Sequence, residues 1–164
     1  MPSEPQSEVL AYIAGIIDGE GSIGFTRQHR GNKRLIPRVL IVNSELSILQ
    51  FVQRFFGGDI QPMKRAKEHW KPTWQWRLSG TRAVDFLSAI QPWVIAKRDQ
   101  IVLVFAWDAT HPGRGRISEA RRIECAETQD FLADCMHFQN HRGVQTRPDP
   151  LDIALAEMGD SPCH

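Results

Sequence analysis

The stretch IAGIIDGEGS (residues 13–22) decides how this chain is read. An apolar run rich in small residues passes into two carboxylates, Asp18 and Glu20, interleaved with Gly19 and Gly21. Upstream and within it, Val9, Leu10, Ile13, Ala14, Ile16 and Ile17 recur at helical spacing, with Ser7 as the expected N-cap. Gly19 and Gly21 are expected to end that helix. Acids at a helix C-terminus oppose the macrodipole, so something positive should meet them. Ala14, Gly15 and Gly19 are small enough to let a second helix approach closely. Pairing about a two-fold axis would bring two sets of acids together. Such a cluster suits Mg²⁺, which takes one or two carboxylates, a carbonyl, waters and phosphate oxygens. A metal so placed activates water and stabilises the leaving oxygen of a phosphodiester. Spacing alone also allows a plain helix end with solvated acids. A calcium loop is disfavoured, because Ile23 stands where an EF-hand needs glycine. A dinucleotide fingerprint is excluded, because these glycines follow a helix and precede a strand.

Outward from this segment, residues 22–30 read as a strand, with Ile23 and Phe25 on one face and Gly24, Thr26, Gln28 and Arg30 on the other. Gly31-Asn32 marks a turn, and residues 34–42 form a second strand with Leu35, Val39 and Ile41 opposite Arg34, Ile36 and Arg38. An amphipathic helix follows, closed by Gly57-Gly58, with Ser44 as its expected cap. A second strand pair spans 59–66 and 72–79; its Trp74 and Trp76 read as core residues. Helices are expected over 81–90, 92–107 and 118–137. The order α-β-β-α-β-β-α, then more helix, predicts an α+β fold: a four-stranded antiparallel, saddle-shaped sheet with helices on one face. The 164 residues, 41% hydrophobic, suit one domain. Residues 1–7 read as a loose arm and 138–164 as a polar tail with one short helix near 151–158.

Charge sharpens the functional class. Lys plus Arg is 20 and Asp plus Glu 19, a net charge of +1. The basic side chains are nevertheless gathered: Arg27, Arg30, Lys33, Arg34 and Arg38 lie in one segment, and Lys64, Arg65, Lys67, Lys71 and Arg77 in another. A near-neutral chain with two basic segments predicts a localised polyanion-binding face. Cys125, Cys135 and Cys163 lack metal-ligand spacing and read as reduced thiols of an intracellular protein. His29, His69 and His111 also lack metal spacing. No run approaches the ~18 apolar residues of a membrane span.

IAGIIDGEG (13–21) resembles the signature of the LAGLIDADG homing endonucleases. The stretches VLIVNSELSILQFVQRFFGG (39–58) and FLSAIQPWVIAKRDQ (86–100) are also similar to that family, and the element order fits it through about residue 107. The chain carries one motif and no internal repeat, which in that family implies a homodimer. The resemblance implies a site-specific enzyme that hydrolyses both strands of a long, roughly palindromic double-stranded DNA target and leaves 3′ overhangs. It implies Mg²⁺, with Mn²⁺ as a substitute. Glu20 matches the metal-binding acid, where many relatives carry Asp, and the Gly19 carbonyl matches the second ligand. Lys97 matches best the basic residue acting on water or phosphate, with its neighbour Arg98 as the alternative match; Asn43 is the nearest match to a water-holding polar residue. Asp18 matches the motif's other acid, with a structural or secondary role. The implied dimer contact is Ile13, Ala14, Gly15, Ile17 and Asp18. DNA contacts fall on Thr26, Gln28, Arg30, Lys33, Arg34, Ile36, Arg38, Gln61, Met63, Arg65, Lys67, Gln75 and Arg77, Lys33 and Lys67 at hairpin tips facing phosphate. Two other classes compete: an intron-RNA-binding maturase, and a DNA-binding regulator of the same fold without cleavage. Glu20 and Lys97 together disfavour the second.

Overall fold

The computed structural model describes residues 6–27, 35–64, 70–110 and 118–141. Helix α1, Ser7–Glu20, contains residues 13–20 of the IAGIIDGEGS stretch. It buries Ile13, Ala14 and Ile17 completely. It runs through Gly19, so that glycine is no helix stop. The stop is Gly21, whose extended backbone opens strand β1, Gly21–Arg27, while its N–H still bonds the Ile17 carbonyl. A Cβ at Gly21 would lie 2.6 Å from the Ile17 carbonyl oxygen, which no side chain tolerates. Gln6, not Ser7, occupies the N-cap.

Strand β2, Leu35–Asn43, pairs antiparallel with β1 and with β4, Trp74–Ser79; β3, Asp59–Pro62, pairs antiparallel with β4. The sheet order is therefore β1-β2-β4-β3. Burial along β2 alternates strictly, as the period of a half-buried strand requires. Ile23, Val39, Ile41, Trp76 and Leu78 face inward and join a core with α1, α2 (Leu46–Phe56) and α3 (Thr81–Ile90). Burying a side chain such as Phe86 contributes about 1.5–3 kcal/mol. Both tryptophans of β4 lie on this inner side: Trp76 is fully buried and Trp74 packs at the margin. Among the described residues the opposite face is open, and every outward position of β2 is partly exposed.

The Gly57-Gly58 turn is fixed from both sides. Gly57 and Gly58 hold φ of 66° and 92°, and the Trp76 indole Nε1 donates to the Gly57 carbonyl over 2.7 Å. Ser44 does not cap α2. The Asn43 side-chain oxygen instead accepts from the Glu45 N–H at 2.8 Å, turning the chain between β2 and the helix.

The helix expected over 92–107 is two pieces. Gln91–Trp93 is a single 3₁₀ turn carrying Pro92, and helix α4 begins only at Arg98 and runs to Thr110. Helix α5, Glu119–Asn140, matches the expected 118–137 closely and is capped by Ser118. It packs on α4 and on the free edge of β1, where the Asn140 amide donates to the Ile23 carbonyl at 2.9 Å and Arg27 pairs with Asp130 at 2.6 Å. Arg27 therefore belongs to this edge rather than to the open face. The observed class is α+β, with a four-stranded antiparallel sheet, helices on one face and further helix at the C-terminal side. The arm before residue 6, the hairpin tips and the tail beyond 141 lie outside the described residues.

Candidate functional site

The tip of α1 meets the segment that leads into α4. The Asp18 carboxylate accepts three consecutive backbone N–H groups, from Ile95 at 2.8 Å, Ala96 at 3.1 Å and Lys97 at 3.2 Å. These donors precede the N-terminus of α4, where the dipole favours negative charge. The break between Trp93 and Arg98 follows from this contact. A continuous helix would turn those N–H groups onto its own carbonyls and leave Asp18 without them.

Lys97 closes the same contact from the other side. Its Nζ donates to the Asp18 carbonyl at 2.6 Å. That carbonyl lies in the last turn of α1, where no intrahelical donor remains and a cation is favoured. Of the two acids in residues 13–22, Asp18 thus meets its expected partner in the 95–97 backbone N–H groups, while the Lys97 ammonium meets the carbonyl end of the helix. The ammonium has three N–H donors, so two remain for other acceptors.

Glu20 is the last residue of α1 and is exposed, as is Gly19. The Lys97 ammonium is held two residues away, on the Asp18 carbonyl. Asn43 ends β2 at the same end of the sheet: Gly21 pairs with Ile41, and Asn43 lies two residues beyond. Its side-chain oxygen is engaged by Glu45, so its amide N–H₂ is what it can offer a water. Glu20, the Gly19 carbonyl, Lys97 and Asn43 therefore share one end of the molecule. Among the described residues, no three His, Cys, Asp or Glu side chains gather as a metal cage. One exposed carboxylate with an adjacent carbonyl instead fits a hard cation that keeps waters and takes phosphate oxygens.

The other sequence-expected residues divide clearly. Ile13, Ala14 and Ile17 cannot serve a partner helix, because the chain's own core buries them fully. Asp18 is likewise turned inward to residues 95–97. Of the five expected contact residues only Gly15 lies on the exposed side of α1, with Tyr12 and Gly19. The hydrophobic periodicity had to serve either the core or a partner, and the core takes it. On the open face, Thr26, Ile36, Arg38, Gln61, Gln75 and Arg77 point outward, and Met63 extends the β3–β4 pairing through its N–H to Thr73. Arg77 stands beside Asp59, 3.5 Å away. Gln28, Arg30, Lys33, Arg34, Arg65 and Lys67 lie outside the described residues. Sequence reasoning missed Leu40 and Val42, which also face outward, Leu40 beside Arg77 and Val42 beside Gln75. Alternation from Val39 and Ile41 would have found them; their apolar character hid them.

No protein-family model matches the chain, and no curated protein matches it. Solved structures do. The homing endonuclease I-CvuI, in complex with its DNA target in the presence of calcium, is 21% identical with a TM-score of 0.62, over 92% of this chain and 94% of that one. A second I-CvuI complex was solved in the presence of magnesium with its DNA uncleaved. The archaeal intron-encoded homing endonuclease I-Vdi141I, complexed with DNA, is 19% identical with a TM-score of 0.63, over 92% of this chain and 94% of that one. The LAGLIDADG homing endonuclease I-GzeII, in complex with its DNA target, is 14% identical with a TM-score of 0.62; 85% of this chain covers 51% of that one. With IAGIIDGEG forming the helix whose tip carries Glu20, the chain has the fold of the LAGLIDADG homing endonucleases.

Proposed function

We propose that the protein is a divalent-metal-dependent, site-specific double-strand DNA endonuclease acting as a homodimer. What supports this reading is the Lys97 ammonium on the Asp18 carbonyl, two residues before the exposed Glu20, at one end of the sheet. That sheet presents Arg, Gln and Thr side chains outward.

The Glu20 carboxylate and the Gly19 carbonyl would hold the metal. When bound, Mg²⁺ supplies an activated water and charge stabilisation at the scissile phosphate; Mn²⁺ substitutes. Lys97 directs its remaining N–H donors at the phosphate or the attacking water. Asn43 orients that water through its amide. Gly15 and Gly19, on the open side of α1, are where a second copy approaches. One Glu20 then serves each strand, and staggered cuts leave 3′ overhangs. Outward side chains of the four strands enter the major groove.

The test incubates protein and Mg²⁺ with a randomised duplex library and sequences the ends. Paired cuts at fixed spacing are expected, lost on chelation with EDTA. Glu20→Gln is expected to bind the selected DNA and to cut nothing detectable; unchanged cutting by that variant would remove the proposed centre. Tight binding to structured intron RNA, with no cleavage of any DNA, would overturn the reading in favour of a splicing cofactor.

A further inference from the structure

The outward side chains form rows across the sheet, because paired residues of neighbouring strands share a face. In one row Val42 stands beside Gln75, and Gln75 beside Gln61. In another, Arg38 stands between Gly24 and Ser79. The rows have a direction. Val42 follows Ile41, the partner of Gly21, and so lies at the Glu20 end of the sheet. Arg38 is four residues further from that end. At ~3.3 Å per residue the two rows are about 13 Å apart, about four base-pair steps of ~3.4 Å.

Their chemistry differs. A carboxamide donates and accepts side by side, which matches adenine N7 and N6; a branched apolar side chain gains against the thymine methyl. Two carboxamides and a valine in one row therefore suit an A·T pair. Arg38 offers donors only, matching the two acceptors of guanine, O6 and N7. Its neighbours in the row are a glycine and a serine, so nothing bulky stands beside the guanidinium. Among the described residues, the side chains of Gln61, Gln75 and Arg38 hold no hydrogen bond or ion pair, whereas Arg77 stands against Asp59.

We propose that each DNA half-site is read as an A·T pair beside the cleavage centre and a G·C pair about four base pairs further out, the first by the Val42–Gln75–Gln61 row and the second by Arg38. This rests on the DNA-endonuclease reading above. The test selects binding sites from random duplex DNA without Mg²⁺, aligns them on their two-fold centre, and repeats the selection with Arg38→Ala. The wild type is expected to enrich A·T inside and G·C outside. Arg38→Ala should lose the outer preference alone, by about five- to hundredfold. Uracil in place of the inner thymine, which removes only the methyl group, should weaken the wild type several-fold and leave Val42→Ser unaffected. A consensus in the reverse order, or an outer G·C preference that survives Arg38→Ala, overturns this readout and leaves the endonuclease reading standing. A wild type that enriches no sequence overturns both.

Discussion

Asp18 and Glu20 are two residues apart on α1 and meet opposite surroundings. Glu20 is exposed at the helix end, while Asp18 holds the main chain of residues 95–97. Asp18 also sets the stage for Lys97, whose Nζ binds the carbonyl of the same residue. Asp18→Ala is expected to cost about 2 kcal/mol of stability, read by denaturant unfolding, since charged hydrogen bonds are worth about 1.5–3 kcal/mol each and water replaces part of them. Its effect on cleavage should run through the lysine. Lys97→Met is expected to slow cleavage about 10²-fold, in the range of general acid–base groups. Asp18→Asn should slow the wild type but add little to Lys97→Met; equal losses in both backgrounds would separate the two residues. The sequence placed Glu20 and Lys97 by resemblance but left Asp18 without a partner. Its acceptors' donors lie 77 to 79 residues away, a distance no local pattern reports.

At the scale of elements, period and punctuation carried most of the fold. The alternation in β2, the amphipathic α2 and the Gly57-Gly58 stop are local signals, and β2 and α2 formed within a few residues of their expected bounds. The failures share a cause. The helix over 92–107 breaks because a carboxylate from α1 claims its first N–H groups, and Ser44 loses its capping role to the Asn43 turn. Both are contests between local propensity and a competing hydrogen bond. Gly58 gives an element-scale prediction. With φ at 92°, an added Cβ would lie 2.7 Å from both Trp76 Nε1 and the Arg77 carbonyl oxygen. Gly58→Ala is therefore expected to lose about 2–3 kcal/mol, lowering the melting temperature by roughly 5–10 °C. A melting curve unchanged within error would mean that the turn can relax without disturbing Trp76.

At the scale of the whole molecule, the helix that carries the motif is shared between a core and an open side. Ile13, Ala14 and Ile17 serve the core, while Tyr12 is 52% exposed on the other side and Ile95, beside the α1 tip, is 77% exposed. Gly15 and Gly19 lie on that exposed side, and a Cβ at either would meet nothing within 4 Å. The single chain therefore has no steric need for these glycines, although each costs about 0.5–1 kcal/mol relative to alanine inside a helix. In the proposed homodimer, a second backbone packed against them would supply the need. This yields effects of opposite sign at one position. Gly15→Ala should stabilise the dissociated chain by about 0.5–1 kcal/mol while weakening self-association. Gly15→Leu, with a side chain too large for close helix contact, should sediment as a folded monomer, and the wild type is expected to sediment as a dimer. It should also lose double-strand cleavage, since the proposed mechanism assigns one Glu20 to each strand. Sedimentation at matched concentrations, with circular dichroism to confirm the fold, checks both variants. A Gly15→Leu protein that remains dimeric and cleaves both strands would place the two-fold axis on another surface.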